Sequence, residues 1–434
     1  MADTKAVCFG KLVFKDYYSF KGHNALNLID KDGHLYQWTV FLGNNNTGKT
    51  SLLRAIAYLE AIPDISLSKT LPHTYIPLSY QEKPNQENDN KDTLIGADIY
   101  EIEKNEKENK IEDFFLNKML TKNSSLENIF WWYRAYQWRV EQNDNLQNLK
   151  IFGYGVNRRT GNTGISDNKE VANSVTLFNS EYKLTNIDEW LFQLDYASKN
   201  GQSAATERLQ LLKEVIKSDI LPEILDFKFT TSDDLKNYIE YQTKEGWFLF
   251  EQLGYGYQAT MAWIIDLCKK MFERYPTSPN PLKEPAIVLV DELDLHLHPK
   301  WQKTIVSYLS KTFAGTQFIV TTHSPLILQT IEKVNLFALI KAEDRVNIRH
   351  IPTESLEGWS VEEILRDIME MDEGVYSDKY NELYKEFDGA LDNEDYESAK
   401  SASEQLMEIL HPDSPERKIL KLQLSQIAPV NDKA

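Results

Sequence analysis

The strongest constraint on the fold is a glycine-rich turn that stands between a strand pattern and a helix pattern. It reads G-x-x-x-x-G-K-T from Gly43 to Thr50, after an alternating apolar run at 36–42 and before helical spacing at 51–56. A strand, a glycine-rich turn and a helix form the context that a phosphate-binding P-loop requires. Glycines let consecutive amides turn inward, and the free N–H groups of the helix start attract anions. The motif therefore predicts an α/β fold with a phosphate site.

Individual residues of this turn have predicted roles. We expect the Lys49 ammonium to reach the β- and γ-phosphates of a nucleotide and the Thr50 hydroxyl to hold Mg²⁺. ATP and Mg²⁺ are thus the expected cofactors. The predicted nucleotide-binding residues are Gly43, Asn44, Asn45, Asn46, Thr47, Gly48, Lys49, Thr50 and Ser51.

A second motif, IVLVDE at residues 287–292, predicts a buried strand with two carboxylates at its exposed end. Asp291 can hold Mg²⁺ through its water shell, and Glu292 can polarise a water in line with the γ-phosphate. Asp291 and Thr50 are therefore the predicted metal ligands, and Glu292 is a predicted catalytic residue. The long interval between Thr50 and Asp291 indicates that a large segment is inserted between the two motifs.

Two further segments predict contacts with a nucleotide. His323, in VTTHSP, follows a second buried strand pattern, where a neutral imidazole can hydrogen-bond to the γ-phosphate. Leu253, Gly254 and Gly256 belong to a glycine turn that opens a helix, which predicts a second anion site. Because the P-loop already takes the phosphates of its own chain, this second site is useful if it serves the nucleotide of another copy.

These four motifs, in this order, resemble the ABC-type ATPases of the SMC and RecF class. The resemblance covers roughly residues 6–340. It implies an α/β, two-lobed ABC-type ATPase head with a helical insertion and a C-terminal helical tail. It also implies a homodimer of heads, or a higher homo-oligomer, with ATP between two heads. In that arrangement His323 is the switch histidine, and the signature at Leu253–Tyr257 acts in trans.

Two residues depart from the pattern of this class. Gly254 stands where the signature usually carries a serine, and His298 stands where the loop after the two carboxylates usually carries an acid. Both departures favour slow hydrolysis, as in a switch or a nucleotide sensor. The glutamine of the family's Q-loop is not assigned, with Gln81 and Gln137 as candidates.

Shorter segments resemble bacterial defence ATPases. IFGYGVNRR, at residues 151–159, is similar to a tyrosine-glycine-x-x-arginine segment of these proteins, so Arg158 or Arg159 could contact phosphate or DNA. The alternative is an exposed turn with arginines. Residues 177–196 and 358–367 resemble the ATPase subunit of the Septu anti-phage system, PtuA. This resemblance implies control of a separate HNH nuclease, PtuB-like, and contact with DNA through the complex.

Composition narrows the class of protein. The net charge is −18, with 66 acidic against 48 basic residues, which excludes a protein that coats nucleic acid with one face and suits a basic partner. Cys8 and Cys268 stand in apolar surroundings, so we expect no disulfide framework and a reducing cytosol. The N-terminus lacks the apolar core of a signal peptide, and no apolar run reaches the length of a membrane helix. We therefore expect a cytoplasmic protein without membrane contact.

Four regions are predicted. Residues 1–176 form an N-terminal lobe with the P-loop and a variable insertion, and residues 177–250 form a helical insertion. Residues 251–351 form a C-terminal ATPase lobe with the signature, the two carboxylates and the histidine. Residues 352–434 form an acidic helical tail, for which we expect partner docking; the alternative is that its apolar stripes pack on the chain's own head.

Three other functions are alternatives to an ATPase that controls a separate nuclease. A RecF-like ATPase in DNA repair or DNA-end processing, without a dedicated nuclease, remains the alternative. An ATPase with its own nuclease, as in the OLD family, needs strands that end in metal-binding acids, and residues 341–434 show no such pattern. A transporter cassette usually keeps the signature serine and lacks this helical tail.

Overall fold

The structure is a computed structural model, and the part of the chain that it describes falls into two compact units, Met1–Trp359 and Ser360–Ala434. The candidate glutamines Gln81 and Gln137 lie outside the described residues. These residues are 6–60, 93–102, 114–120, 149–161, 173–218, 221, 223–353, 355–369 and 376–428.

The first unit contains both strands and helices, and the second unit is helical. The strands are β1 (Ala6–Tyr17), β2 (Phe20–Asn27), β3 (Trp38–Gly43), β4 (Thr93–Ile102), β5 (Phe114–Leu120), β6 (Ile151–Tyr154), β7 (Asp226–Thr231), β8 (Asn237–Gln242), β9 (Trp247–Leu249), β10 (Ala286–Val290), β11 (Thr316–Thr322), β12 (Val334–Lys341) and β13 (Val346–Ile351). The helices are α1 (Lys49–Ala57), α2 (Ile187–Lys199), α3 (Ser203–Ile216), α4 (Tyr255–Arg274), α5 (Pro299–Gln302), α6 (Ile305–Thr312), α7 (Pro325–Leu328), α8 (Val361–Glu363), α9 (Asp378–Asp392), α10 (Tyr396–Ile409) and α11 (Glu416–Gln426). Within the described residues, no helix combines the length and the apolar character needed to cross a membrane.

A six-stranded sheet organises the first unit. Its order is β13-β12-β3-β11-β10-β6, and every pair is parallel except the edge pair β12 and β13. Because parallel strands bring their carboxyl ends to the same edge, the segments after β3, β6, β10 and β11 lie side by side. These segments carry the P-loop, the arginine pair, the two carboxylates and the histidine.

Continuous apolar runs explain why these strands are central. All five residues of β10 and all seven of β11 are buried, as the sequence predicts for strands covered on both faces. The predicted α/β class is thereby confirmed.

The P-loop helix α1 is held by a second sheet. This antiparallel sheet has the order β2-β1-β4-β5, and one hydrophobic core joins it to α1 and the six-stranded sheet. Leu52 and Ile56 of α1 pack in this core with Phe14 of β1 and Leu289 of β10. The helix that begins at the P-loop is therefore fixed by burial of its apolar face. The regular helix runs from Lys49 to Ala57 and thus contains residues 51–56, where the sequence shows helical spacing.

Residues 177–250 contain strands as well as helices. The helices α2 and α3 are followed by the antiparallel sheet β7-β8-β9, in which Phe227, Ile239 and Tyr241 are buried. Ile239 and Tyr241 are two positions apart on β8, which suits a half-buried strand rather than a helix. The predicted helical insertion is thus helical only in its first half.

The second unit forms the predicted helical tail. Ser360 and Glu363 make the expected capping box at the start of α8. The helices α9 and α10 form an antiparallel hairpin with α11 beside it, around a core that contains Leu383, Phe387 and Leu406. The apolar stripe of α9 is therefore largely buried within the second unit itself.

Candidate active site

The P-loop has the backbone conformation that a phosphate site needs. Gly48 has φ 84° and precedes the first residue of α1, and Asn46 has φ 64°. A Cβ at Gly43 would lie 2.5 Å from the Thr47 hydroxyl oxygen and 2.9 Å from the Leu339 carbonyl oxygen, so only glycine fits there. The first amides of α1 have no partner within the helix, which is the arrangement that binds an anion.

Lys49 folds over this turn. Its Nζ donates to the carbonyl oxygens of Gly43 at 2.8 Å and Asn44 at 3.0 Å. Burial lowers the pKa of Lys49, and the carboxylates of Asp291 and Glu292 act in the opposite direction. The Lys49 ammonium thus lies between the P-loop carbonyl oxygens and the carboxylates of Asp291 and Glu292.

Thr50 and Asp291 are brought together from positions 241 residues apart. The Thr50 hydroxyl donates to Asp291 Oδ2 at 2.6 Å, and the Thr321 hydroxyl donates to Asp291 Oδ1 at 2.7 Å. Asp291 is almost fully buried at the end of β10. Hydroxyl and carboxylate oxygens are the ligands that Mg²⁺ prefers, so these residues fit the predicted metal.

Glu292 and His323 complete the group. Glu292 follows Asp291, is half-buried, and has φ 50°. His323 is half-buried at the end of β11, and its Nε2 has no hydrogen-bond partner among the described residues. Burial, and next the positive charge of Lys49, lower the pKa of His323, so the imidazole is neutral at neutral pH. We call residues 43–50, 291–294 and 321–323 the catalytic edge.

An acid that the sequence reading missed positions His323. Asp294 Oδ1 accepts from the Thr322 hydroxyl at 2.5 Å and from the backbone N–H of His323 at 3.2 Å. His298, which stands at the position of the usual acid, is exposed and caps α5 by accepting from the N–H of Lys300. Two features of the sequence could have indicated this contact. They are the two threonines before His323 and the carboxylate two residues after Glu292.

The two adjacent arginines have opposite environments. The Arg158 side chain is only 4% exposed, and its guanidinium donates to the carbonyl oxygens of Gly155, Asp291 and Glu292. It therefore contacts the catalytic edge from inside the protein, which differs from the expected contact with phosphate or DNA. Arg159 is exposed, and for this residue that contact stays a prediction.

The signature turn, Leu253–Tyr257, packs against the loop that follows Glu292. Leu253 is buried, and Gly254 is the N-cap of α4 without a side-chain cap. A Cβ at Gly256 would lie 2.4 Å from the His296 carbonyl oxygen, and the rings of Tyr255 and His296 meet edge to face at 4.6 Å. The signature turn thus contacts the loop that follows the catalytic edge at His296.

Comparison with known proteins agrees with this geometry. Residues 39–329 match the family described as "AAA domain, putative AbiEii toxin, Type IV TA system". The chain is 36% identical over 216 residues to Septu protein PtuA of Bacillus thuringiensis, which covers 49% of this chain and 54% of that protein. It is 34% identical over 177 residues to the Retron Ec83 probable ATPase of Escherichia coli, which covers 40% of this chain and 32% of that protein. The matches thus span about half or less of these relatives' length.

Among solved structures, the SmcHead bound to the C-winged helix domain of ScpA aligns with 81% of this chain and 99% of that chain, with a TM-score of 0.43 and 12% identity. The predicted resemblance to P-loop ATPases and to PtuA is confirmed by the sequence matches. Because the family model spans well over half of the chain, the protein belongs to this AAA-domain family, as an ABC-type P-loop ATPase that resembles PtuA.

Proposed function

We propose that the protein binds ATP with Mg²⁺, hydrolyses it slowly, and thereby controls a separate HNH nuclease in anti-phage defence. The observation that carries the ATPase part is the hydrogen bond between Thr50 and Asp291. It joins the P-loop to the end of a buried strand that also carries Glu292, and His323 stands at the same edge. Phosphoryl transfer to water needs these groups in one place.

Each residue has a distinct task in this proposal. The P-loop amides and Lys49 bind the phosphates, and Thr50 with Asp291 would hold Mg²⁺, which neutralises phosphate charge when bound. Glu292 accepts a proton from the attacking water, and neutral His323 hydrogen-bonds to the γ-phosphate through its Nε2. The pKa of His323, lowered mainly by burial, keeps its second ring nitrogen free of a proton and able to accept.

Two heads would pair across the nucleotide, with Leu253, Gly254 and Gly256 of one copy facing the phosphates of the other. The absence of a side-chain cap at Gly254 supports this part, because the first N–H groups of α4 then remain available to an anion. Without a serine hydroxyl, the signature supplies only backbone and helix dipole, which supports slow turnover.

The second unit is the proposed docking site for the nuclease. Residues 360–434 contain 19 acidic and 8 basic residues, so this unit carries most of the chain's net charge of −18. On α11, Ile419 is 52% exposed and Leu422 is 64% exposed, three residues apart on the same side of the helix. The acidic residues of this unit lie mainly outside α11, which carries one acidic and three basic residues. Charge would therefore steer a small basic partner to the unit, while the exposed apolar pair on α11 supplies the contact, and DNA would be reached through the complex. The similarity to Septu protein PtuA supports a defence role.

A RecF-like ATPase in DNA repair remains the second candidate. It is favoured by the shared motif order, and it differs in having no dedicated nuclease partner. The gene next to the one that encodes this protein discriminates between the two candidates, because a small HNH protein encoded there supports the defence role.

Replacement of Glu292 by glutamine tests the ATPase assignment. Glu292→Gln keeps the shape of the side chain but loses the base, so ATP should bind with parental affinity while phosphate release falls about 100-fold or more. Glu332→Gln, at an exposed position, is the matched control and should hydrolyse ATP normally. Parental turnover in Glu292→Gln would contradict the role of this residue.

A surface substitution tests the docking assignment. Leu422→Asp should abolish co-purification with the neighbouring HNH protein while ATP hydrolysis stays parental. Leu235→Asp, at an 82% exposed position in the first unit, is the control and should retain the partner. If Leu422→Asp still co-purifies with the nuclease, α11 is not part of the docking surface.

A further inference from the structure

The backbone of Glu292 has an unusual conformation. Its φ of 50° places it in the left-handed region, which residues with a Cβ rarely adopt. Such conformations persist where the surrounding structure over-determines them, and they cluster at functional sites. The direction in which the Glu292 carboxylate leaves the chain therefore depends on whatever fixes the two peptide groups around it.

Both of these peptide groups are held at both of their edges. In the peptide before Glu292, the Asp291 carbonyl oxygen accepts from Arg158 and the Glu292 N–H donates to the Thr321 hydroxyl at 2.7 Å. In the peptide after it, the Glu292 carbonyl oxygen accepts from Arg158 at 2.8 Å and the Leu293 N–H donates to the Thr321 carbonyl oxygen at 2.9 Å. Since the planes of these two peptides set φ and ψ of Glu292, Arg158 and Thr321 together determine its conformation.

The contacts of Arg158 suit it to holding the two peptide groups around Glu292. Its Nη2 bonds to both carbonyl oxygens, and its Nε donates to the carbonyl oxygen of Gly155 at 3.0 Å, which ties the guanidinium to its own turn. The guanidinium also lies 5.9 Å from the ring centroid of Trp263 on α4. Among the described residues Arg158 forms no ion pair, so a buried charge is satisfied by backbone carbonyls alone. Burial lowers its pKa to about 10, which leaves it charged at neutral pH.

We propose that Arg158 is a positioning residue for ATP hydrolysis: it holds the two peptides around Glu292 so that the carboxylate points at the attacking water. This inference rests on the proposed role of Glu292 as the base. It predicts a loss in the hydrolytic step and not in nucleotide binding, because Arg158 has no hydrogen bond to the P-loop. A lysine at this position keeps the charge, but its single nitrogen lacks the separate Nε–H that bonds to the Gly155 carbonyl, so it cannot hold all three carbonyls in the same geometry.

The first experiment compares Arg158→Lys with Arg345→Lys in the full chain. We expect kcat of Arg158→Lys to fall about 10- to 100-fold, since a misplaced catalytic group costs rate of this order. The dissociation constant for ATP should stay parental. Arg345→Lys, whose side chain is exposed in the turn before β13, should match the parent in both quantities. A parallel loss of ATP affinity and rate in Arg158→Lys, or no loss at all, overturns the proposal.

A double-variant cycle separates positioning from a general structural role. In the Glu292→Gln background there is no base to position, so adding Arg158→Lys should change the residual rate by less than about twofold. If the second substitution lowers the residual rate by the same factor as in the parent, Arg158 acts through the fold and the proposal fails. If Glu292→Gln alone turns over normally, the proposed function fails and the positioning role fails with it.

A third variant keeps the test decisive if Arg158→Lys does not fold. Thr321→Val removes the hydroxyl that accepts the Glu292 N–H, from the opposite side of the same peptide. At saturating Mg²⁺ it should show the same loss of kcat with parental ATP affinity. Parental kcat in Thr321→Val contradicts the idea that these hydrogen bonds position Glu292.

Discussion

The catalytic edge and the signature turn both contain the start of a helix at a predicted anion site, but they are built in opposite ways. At the catalytic edge, side chains bond to one another and to the loop, as Thr50 does to Asp291 and Lys49 does to the Gly43 carbonyl. At the signature turn, the cap residue Gly254 offers no side chain, and the closest approach is between the Gly256 backbone and the His296 carbonyl. The first region therefore depends on side-chain chemistry, and the second depends on space around the backbone.

Removing the Lys49 ammonium should have the largest effect. Lys49→Ala deletes the charge that meets the phosphates, so ATP affinity should fall about 100-fold, or about 3 kcal/mol. Titration with a fluorescent ATP analogue measures this. Lys303→Ala, at an exposed position, is the control. Near-parental affinity in Lys49→Ala would contradict the statement that the catalytic edge depends on side-chain chemistry.

Alanine substitutions at the two signature glycines, made one at a time, test whether the signature turn depends on space around its backbone. Gly256→Ala should lower the free energy of unfolding by about 1–3 kcal/mol, because its Cβ would lie 2.4 Å from a backbone carbonyl oxygen that cannot move away freely. Gly254→Ala meets nothing closer than 3.7 Å and should be tolerated. Urea denaturation of both variants gives the difference. Equal stabilities would mean that the loop at His296 adapts easily.

The histidines of the two regions should respond unequally to acid. Burial and then Lys49 lower the pKa of His323, and burial and then Arg158 lower the pKa of His296. In both cases the unfolded chain binds protons more readily, so stability present above the ordinary imidazole pKa is lost as the pH falls below it. His323→Asn should flatten this loss between about pH 7.5 and 5.5 more than His296→Asn, because His296 is exposed. Urea midpoints across this range decide it; the reverse order would contradict the burial argument.

Restoring the serine of the signature should have the smallest effect on the isolated chain. Gly254→Ser has room for its side chain and supplies a cap for α4, so stability should rise by a few tenths, about 0.3 kcal/mol. In paired heads the added hydroxyl should also raise turnover at high protein concentration. Gly254→Ala, which lacks the hydroxyl, separates the two contributions. An unchanged rate in Gly254→Ser would mean that the departure at this position does not limit hydrolysis.

The sequence by itself determined the elements of the catalytic edge. The P-loop has a local backbone requirement, and the buried strands β10 and β11 have continuous apolar runs, so both are visible in short windows. The parallel order of these strands then brings Thr50 and Asp291 together although 241 residues separate them. The helical prediction for residues 177–250 extended too far, because the two clear helices in its first half outweighed the short strand patterns FKFTT and GWFLF that follow them.

Only the tertiary structure decided which residues are buried and which distant segments they contact. Arg158 and Arg159 are adjacent in the chain, yet one is buried on the carbonyls of Asp291 and Glu292 and the other is exposed. Asp294 rather than His298 holds the His323 backbone, and Gly256 is required because of a carbonyl 40 residues further along the chain. Sequence patterns encode the period and the conformation of single elements, whereas these contacts join segments whose meeting depends on how the whole sheet packs.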